Sequence, residues 1–429
     1  MNLKRKLALV SGMVLLGASL PMLATSATAA KPTLTIWVDT PRLYAAELYK
    51  KSVASKVDVK IVTVAQADIQ TKIQLANTTK KGWPDVTFGD PQDTAVFAAK
   101  SNGFAANLTK VLPKAIADGY SKFGNGNSDC TFQGQVYCLK NDLAATVLWY
   151  NVPVFKKLGL TVPKTMEEFA ATAMKLKGTG YTAGGYGDFN YYASFLQSSE
   201  CPLIATPNAT TLRSVPTASS CTRVAKLLQP LLDAGVIDKR SAFDPGFMKE
   251  YPNKNMLAMT LGPAWYGKFV IEPKDVWNMP AGTMTAAPMP KWTGAKSNFS
   301  GAWGGGVFIV SSHSKNPKLA LEAATFLATD KTVQSQATGY PAFGPVRELW
   351  HAVIKKDAYF AADPYPAMDE AAKKLSQLNR PVRFPFVAQV GTSLTSKINE
   401  GKPLDESLAS LAAAIKNLAP GAGYKVVSK

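Results

Sequence analysis

The sequence predicts an α/β fold with more than one lobe, because strand and helix patterns alternate along a long chain. Leu34–Val38 is a short apolar run and Val57–Val64 is rich in β-branched residues, as is typical of strands, while 44–53 between them has helical spacing. Asp85–Phe88 continues the series as a third strand. The roughly 400 residues after the N-terminal segment exceed what one hydrophobic core usually holds, so two or three lobes are expected.

The first 29 residues have the pattern of a signal peptide. Lys4, Arg5 and Lys6 form a positive start, an apolar core covers 7–23, and the small residues of 27–29 suit a cleavage site. No cysteine follows that site to carry a lipid anchor, and no later apolar run approaches the roughly 18 residues of a membrane span. We therefore expect a mature protein that is soluble, periplasmic or otherwise extracytoplasmic, and without a lipid anchor.

The four cysteines suit an oxidising compartment. An even count in an exported protein favours disulfides, and sequence proximity suggests Cys130 with Cys138 and Cys201 with Cys221, although three pairings are possible. A metal site is the alternative. It is disfavoured because the chain has no Cys-x-x-Cys spacing and its two histidines are remote in sequence. The sequence thus predicts no metal and no cofactor.

A helix is predicted to begin just after Thr165. Pro163 disfavours helix at the residue before it, and Thr165 with Glu168 has the spacing of a capping box, in which each side chain binds an unpaired backbone N–H of the first turn. An apolar stripe follows at helical spacing and consists of Phe169, Ala173 and Leu176. Gly178 supplies the left-handed residue that ends such a helix.

The stretch 150–177 that contains this helix resembles one protein family. Its order of Tyr-Asn, Phe-Lys-Lys-Leu-Gly-Leu, Pro and Thr-x-x-Glu is similar to that of the extracellular solute-binding proteins of ABC importers, family 1. This is the carbohydrate-leaning group that includes maltose-binding protein. Further similar segments are the Gly-Phe-x-x-Asn-Leu of 103–108, the Gly-Pro and Trp element of 256–266, and the strand 307–311 followed by Ser-Lys-Asn-Pro.

The resemblance implies a two-lobed periplasmic-binding-protein fold, the Venus-flytrap architecture, with a hinge between the lobes. It places 30–142 plus about 288–340 in the N-terminal lobe, and 143–287 plus about 341–429 in the C-terminal lobe. It also implies a carrier without enzymatic activity, which would bind a sugar or oligosaccharide between the lobes and deliver it to the transmembrane subunits of an ABC permease. The segment 199–221, rich in Ser, Thr and Pro, departs from the family as an added loop.

The charge of the chain has two interpretations. Its formal charge is +18, to which the signal segment contributes three, and such a balance could indicate nucleic acid or an anionic membrane. The lysines, however, are scattered as pairs such as Lys80-Lys81 and Lys373-Lys374 and do not form one basic block. We therefore expect a solvated basic surface, no nucleic-acid partner, and a monomer.

The candidate ligand contacts are aromatic and polar residues near predicted strand ends and in loops. A sugar presents an apolar C–H face and a rim of hydroxyls, so its pocket needs flat rings together with hydrogen-bonding groups. In open α/β lobes, ligands bind outside the carboxyl ends of the strands. The residues predicted to bind ligand are Trp37, Asp39, Asp90, Gln92, Tyr191, Tyr192, Trp265, Tyr266, Trp303 and Phe384, of which Tyr191 and Tyr192 are expected in the loop-like segment 184–192. Trp37 is equally suited to the core of the first strand.

Two alternatives remain open from the sequence. Within the class, the ligand could be a polyol, a glycerol phosphate ester or another small anionic solute, which Arg380 and Arg383 could bind. In another class, a glycoside-active enzyme could place Asp39 opposite Asp90 across a sugar cleft without any sequence signature. No Gly-x-Ser-x-Gly, His-Glu-x-x-His or Walker motif supports an enzyme.

Overall fold

The computed structural model describes residues 30–121, 128–295, 298–376, 382–384 and 386–428, so the predicted signal peptide lies outside the described residues. The strands, in chain order, are β1 (Thr33–Val38), β2 (Asp58–Thr63), β3 (Val86–Gly89), β4 (Thr131–Phe132), β5 (Gln135–Val136), β6 (Cys138–Lys140), β7 (Thr146–Asn151), β8 (Ala205–Asn208), β9 (Thr211–Arg213), β10 (Met259–Pro263), β11 (Met284–Pro288), β12 (Val307–Val310) and β13 (Lys425–Val427).

The α-helices are α1 (Leu43–Val53), α2 (Ile69–Thr79), α3 (Pro91–Ala98), α4 (Lys114–Ser121), α5 (Val152–Leu158), α6 (Met166–Met174), α7 (Phe189–Ser198), α8 (Ser219–Asp233), α9 (Pro245–Glu250), α10 (Pro317–Thr329), α11 (Lys331–Gln334), α12 (Arg347–Ile354), α13 (Tyr365–Lys373), α14 (Thr392–Asn399) and α15 (Leu404–Leu418). Every strand and helix predicted above is present, with ends that differ by a few residues.

The first sheet has five strands in the order β2-β1-β3-β12-β6. Its first three strands run parallel, and β12 lies antiparallel to both β3 and β6. Side chains alternate along β1, so that Leu34, Ile36 and Val38 are fully buried on one face. The carboxyl ends of β1 and β3 therefore meet the start of β12 at one edge, because Val307 of β12 pairs with Gly89 of β3.

The second sheet has three antiparallel strands in the order β10-β7-β11. The chain passes from the first sheet to the second between β6 and β7, and returns between β11 and β12. We call the part built on the first sheet the first lobe and the part built on the second sheet the second lobe. This is the predicted two-lobed α/β architecture. The exact residues at which each lobe begins and ends remain a prediction.

Local sequence chemistry explains where helix α6 begins and ends. Thr165 and Glu168 form the predicted capping box at the start of α6, with Oγ1 of Thr165 accepting from the Glu168 N–H at 3.1 Å. Helix α6 ends at Met174, four residues before the expected stop, and a turn leads to Gly178 with a φ of +77°. Proline opens α5 and α10 within their first two positions, as expected for a residue that has no N–H to leave unpaired.

Helix α7 is a correction to the sequence interpretation, which placed Tyr191 and Tyr192 in a loop. The glycines of the segment end at Gly187, and the ten residues Phe189–Ser198 form a helix that begins after Asp188. Nearly every side chain in α7 is buried. The helical spacing is present in the sequence, since Phe189, Ala193 and Leu196 recur at i, i+4 and i+7, but the glycine-rich run just before it favoured the loop interpretation.

The structure contains both disulfides that sequence proximity suggested. Cys130 and Cys138 have Cα atoms 4.9 Å apart, and Cys201 and Cys221 have Cα atoms 4.6 Å apart. The added segment 199–221 is not a plain loop. Its strands β8 and β9 form a hairpin, and β9 pairs in parallel with the C-terminal strand β13. Among the described residues, no helix is long and apolar enough to cross a membrane.

Candidate ligand-binding cleft

A cleft of about 420 Å³ lies between the two lobes. Its first-lobe wall comes from the residues that follow β1 and β3, and its second-lobe wall comes from α7 and from the segment after β10. The crossover from β11 to β12 brings Trp303 and Gly304–Gly306 between these walls. The cleft therefore has contributions from both lobes and from one of the segments that connect them.

The first-lobe wall is polar and acidic. Asp39 directly follows β1, and one of its carboxylate oxygens accepts from the Arg42 N–H at 3.3 Å, while the other lies 3.1 Å from Nη1 of Arg42. Nη2 of Arg42 is 3.7 Å from Oδ1 of Asp142, and the guanidinium stacks over the Phe88 ring at 4.3 Å. Arg42 is thus held by two carboxylates and a ring. It is the one cation among the described residues that line the cleft.

Asp90 is the lining carboxylate with no ion pair among the described residues. It precedes α3, and its Oδ1 accepts from Nε2 of Gln66 at 2.7 Å. Burial raises the pKa of Asp90 above its usual range, and the nearby Asp142 carboxylate adds to this, although Gln92 and the charge of Arg42 act the other way. Burial also raises the pKa of Asp39, more than Arg42 lowers it.

The ionisation of Asp90 and that of Asp93, which lies behind it, influence each other. Oδ2 of Asp93 accepts from the Asp90 N–H at 2.8 Å, and its Oδ1 accepts from Nε2 of Gln70 at 2.6 Å. The pKa of Asp93 is raised first by burial and then by the charge of Asp90. Beside them Oε1 of Gln92 is buried without a hydrogen-bond partner in the described part of the chain. The wall therefore has acceptor groups that a donor-rich ligand could engage.

The second-lobe wall is aromatic. Trp265 follows β10, and its Nε1 donates to the Trp303 carbonyl at 2.9 Å while the two ring centroids lie 5.7 Å apart. Phe269 packs on Trp265 from one helical turn later, at 5.6 Å, and Phe243 packs against Trp303 at 6.2 Å. Both phenylalanines are more than a third exposed, at 36% for Phe243 and 37% for Phe269. The rings form a wall of edge-to-face contacts that leaves flat surface open to a ligand.

The glycines after Trp303 are required by close packing. Gly305 has a φ of +87°, and a Cβ there would lie 2.8 Å from the Asp142 carbonyl. A Cβ on Gly306 would lie 2.0 Å from the Phe88 ring. Because these positions carry no side chain, the crossover can pass close to the acidic wall. The Gly306 N–H donates to Oδ1 of Asp142 at 3.0 Å, which fixes the crossover to the first lobe.

Five of the ten predicted ligand residues line the cleft. They are Asp39, Asp90, Gln92, Trp265 and Trp303. Each follows or precedes a strand end at the edge where the lobes face one another, as the sequence interpretation required. Their contact with a ligand remains a prediction.

The other five are not among the lining residues. Trp37 lies on the opposite face of β1 from its buried aliphatic residues, because alternate side chains of a strand face opposite sides. It pairs with Val62 of β2 and packs against a second core cluster that includes Phe97 and Phe104. Phe384 is 5% exposed and packs on Phe386 and Tyr424, and it is Phe386 that reaches the cleft.

The three predicted tyrosines lie behind the aromatic wall. Tyr191, Tyr192 and Tyr266 are at most 2% exposed, and the hydroxyls of Tyr191 and Tyr266 are 2.8 Å apart. Tyr191 packs edge-on against Trp303 at 5.0 Å, and Tyr266 packs against Trp265 at 4.9 Å. Tyr191 and Tyr266 thus support the tryptophans that line the cleft, whereas Tyr192 packs on Tyr186. All three are themselves closed off from the cleft.

Several lining residues were absent from the predicted set. They are Arg42, Gln66, Asp129, Asp142, Phe189, Phe243, Phe269 and Phe386. Phe269 could have been found, because it lies four residues after Trp265 in a helical segment. Asp129, Asp142 and Phe243 carry no such local signal, since only the tertiary fold brings them to the cleft.

The described residues offer no group of three or more His, Cys, Asp or Glu that could hold a metal ion. The histidines lie elsewhere: His313 stacks on Trp83 at 3.9 Å, and Nε2 of His351 is 2.9 Å from Asp363. Arg383, a candidate for binding an anion, instead donates to the Ala209 and Gly423 carbonyls at 2.9 Å, which ties the β8–β9 hairpin to the C-terminus. Arg380 lies outside the described residues.

Two lobes joined by crossovers, with a cleft lined from both, define a binding protein of the Venus-flytrap class. The chain belongs to the bacterial extracellular solute-binding proteins, whose family model matches residues 37–334. This is a family of binding proteins and not of enzymes. A curated relative, the arabinooligosaccharide-binding protein of Bacillus subtilis (strain 168), is 24% identical over 330 residues, which are 72% of this chain and 71% of the relative.

Solved structures show the same fold. The ABC transporter associated binding protein from B. animalis subsp. lactis Bl-04, in complex with beta-1,6-galactobiose, superposes with a TM-score of 0.76 at 21% identity. The galacto-N-biose-/lacto-N-biose I-binding protein from Bifidobacterium longum, in complex with lacto-N-biose, gives 0.77 at 18%. The comparisons cover 92% of this chain in both cases, and 100% and 99% of the respective solved chains.

Proposed function

We propose that this chain is the extracytoplasmic solute-binding component of an ABC importer and that its ligand is a neutral sugar or oligosaccharide. The observation that carries the proposal is the pairing of an aromatic wall, formed by Trp265 and Trp303, with a wall of carboxylates and amides around Asp39, Asp90 and Gln92. The rings suit the C–H face of a sugar. The acceptors suit its hydroxyl donors.

The relatives support a carbohydrate. Their names and titles mention arabinooligosaccharide, galactobiose and lacto-N-biose, which differ in linkage and in composition. The specific ligand of this chain therefore does not follow from them. A cleft of about 420 Å³ falls within the usual range for small-molecule pockets.

The charge of the cleft disfavours the anionic alternative. Four aspartates line it, namely Asp39, Asp90, Asp129 and Asp142, and the one lining cation in the described structure, Arg42, is already paired with two of them. Asp129 pairs with Lys140, which is almost fully buried. Among the described lining residues, a phosphate ester would meet carboxylates without a free cation to balance it, at a cost that burial increases. A neutral polyol remains compatible.

We further propose that binding is followed by no chemistry. Asp39 is held by Arg42 and closes the first turn after β1, so it is engaged in the structure of its own wall. The ligand would be released to the transmembrane subunits of a permease, with the protein acting as a monomer that its N-terminal segment directs out of the cytoplasm. A glycan panel incubated with the protein tests this, because cleaved products would indicate an enzyme.

A thermal-shift screen against mono- and oligosaccharides, polyols and glycerol phosphate tests the ligand class. A ligand at one hundred times its dissociation constant stabilises the folded state by about 2.7 kcal/mol. The proposal expects a shift with at least one neutral sugar and none with glycerol phosphate. A shift with glycerol phosphate and with no sugar would contradict it.

A further inference from the structure

A small recess opens from the side of the cleft beside α7. It has a volume of about 20 Å³ and lies between α7 and the loop Cys201–Ile204 that precedes the β8–β9 hairpin. Phe189, Ala193 and Ile204 line both the recess and the cleft, so the recess is a side chamber of the cleft. Leu196, Cys201 and Leu203 close it behind.

The recess is large enough for one group of the size of water or methyl, but its lining does not suit water. A buried water needs two to four polar partners. Gln197 contributes the polar side chain of the lining, and both ends of its amide already bind Ala302, with Oε1 accepting from the N–H at 2.5 Å and Nε2 donating to the carbonyl at 3.3 Å. The Cys201 N–H donates to the Leu196 carbonyl, and the Leu203 N–H donates to the Cys201 carbonyl.

The wall formed by the loop is fixed in place. The disulfide joins Cys201 to Cys221 in α8, and both cysteines are at most 5% exposed. Nη2 of Arg223, two residues further along α8, donates to the Ser199 carbonyl at 2.8 Å. Because α8 holds both the end of α7, at Ser199, and the start of the loop, at Cys201, the loop is not free to collapse onto α7 and fill the recess.

We propose that the recess binds a methyl group carried by the sugar ligand, an inference that rests on the proposed carbohydrate function. A methyl group matches the volume of the recess and needs no hydrogen-bond partner, whereas a hydroxyl placed there would find, as the one polar side chain of the lining, the Gln197 amide that is already bound to Ala302. The methyl can belong to a 6-deoxyhexose, to an acetamido group or to a methyl glycoside. All three present the same chemistry to the recess.

Calorimetric titration with matched ligand pairs tests the proposal. The pairs are D-fucose with D-galactose, N-acetyl- with N-formyl-D-glucosamine, and methyl glucoside with glucose, each as the monosaccharide and as one unit of a disaccharide. At least one methyl-bearing member should bind fourfold or more tightly than its partner, since burial of one methylene-sized group accounts for about that factor. The pair that shows the preference identifies the source of the methyl.

Two variants separate the recess from the cleft. Ala193→Val fills the recess and should bring the affinity ratio of the preferred pair down to about one, while the same change at Ala171, exposed on α6, should leave the ratio as it was. Leu203 lines the recess but not the cleft, so Leu203→Ala should enlarge the recess and shift the preference to a substituent one carbon longer. If Ala193→Val does not fold, the result for Leu203→Ala alone tests the recess assignment.

The outcomes are distinct. Sugar binding with equal affinities in every pair would overturn the recess assignment and leave the carbohydrate function standing. A preference that survives Ala193→Val in a folded protein and does not shift in Leu203→Ala would also overturn it. Failure of every sugar to bind would overturn both the assignment and the proposed function.

Discussion

Trp265 is the residue on which the aromatic wall depends, because its indole is fixed by the Trp303 carbonyl and faces the cleft beside Phe269. Replacing it with alanine should weaken sugar binding by about 2 kcal/mol or more, the range of an interface hot spot. The melting temperature of the ligand-free protein should change less than for a fully buried tryptophan such as Trp277.

The matched control for this prediction is Trp83→Ala, which removes a half-buried tryptophan that stacks on His313 outside the cleft. Titration calorimetry should show an unchanged affinity for this control. If Trp265→Ala keeps its affinity while the ligand-free protein is strongly destabilised, Trp265 is a core residue and the assignment is wrong.

The buried charge of Asp90 should destabilise the ligand-free protein, although the same charge helps to bind the ligand. Burial raises the pKa of Asp90 from its usual value of 3.8 to about 6, so between these values the folded protein binds more protons than the unfolded chain. Stability therefore falls as pH rises through this window. Asp90→Asn removes this titration and also relieves Asp93, whose pKa the Asp90 charge raises.

The expected result for Asp90→Asn is a flatter dependence of the unfolding free energy on pH between about 4 and 6, with equal or greater stability at pH 7. Its sugar affinity should fall, since a charged acceptor makes the stronger hydrogen bonds. Denaturant titrations at several pH values measure the first effect. An unchanged pH slope in the variant would show that Asp90 does not titrate in that window.

Among the elements, α7 supports the site through Gln197, which holds the backbone of Ala302 by both ends of its amide. Close packing reinforces this, because a Cβ on Gly301 would lie 2.5 Å from the Ser194 backbone. Gln197→Leu keeps the size of the side chain and removes both hydrogen bonds. We expect about tenfold weaker sugar binding, because two hydrogen bonds that position Trp303 are lost.

Tryptophan fluorescence of the ligand-free protein separates positioning from direct contact. If Gln197 positions Trp303, the emission of Gln197→Leu should shift before any ligand is added. An unchanged emission spectrum together with weaker binding would mean that Gln197 contacts the ligand and does not position the ring.

The two disulfides also act on single elements, since each closes a local segment of the chain. Replacing either pair with alanines should cost on the order of 2–4 kcal/mol in unfolding free energy, as short loops do. Thermal melts with and without reducing agent measure this. Peptide mapping without reduction should recover the 130–138 and 201–221 links, and free thiols or a Cys138–Cys201 link would contradict the structure.

The elements were largely predictable, because their signals are local. The capping box of α6, the proline at the start of α10 and the apolar runs of β1 and β12 lie within a few residues. The residues that line the cleft were predictable only in part. Asp39 and Asp90 were found because strand ends can be recognised in sequence, whereas the contribution of Asp142 depends on tertiary packing that no local pattern encodes.

At the scale of the whole molecule, the lobes are connected through the site itself. The crossover from β11 to β12 carries Trp303, bonds to Asp142 of the acidic wall and contacts Trp265 of the aromatic wall. A ligand contacts both walls at once only when the lobes are closed around it. Binding would therefore shift the population toward the closed arrangement of the lobes.

Solution scattering with and without a saturating sugar tests the central claim most directly, with the recovered sugar analysed afterwards. We predict a smaller radius of gyration in the bound state and recovery of the sugar intact. With the sugar near the dissociation constant of the unaltered protein, Trp265→Ala should show almost none of the change that the unaltered protein shows. A scattering profile that a tightly bound sugar leaves unchanged, or a sugar recovered in cleaved form, would contradict the account.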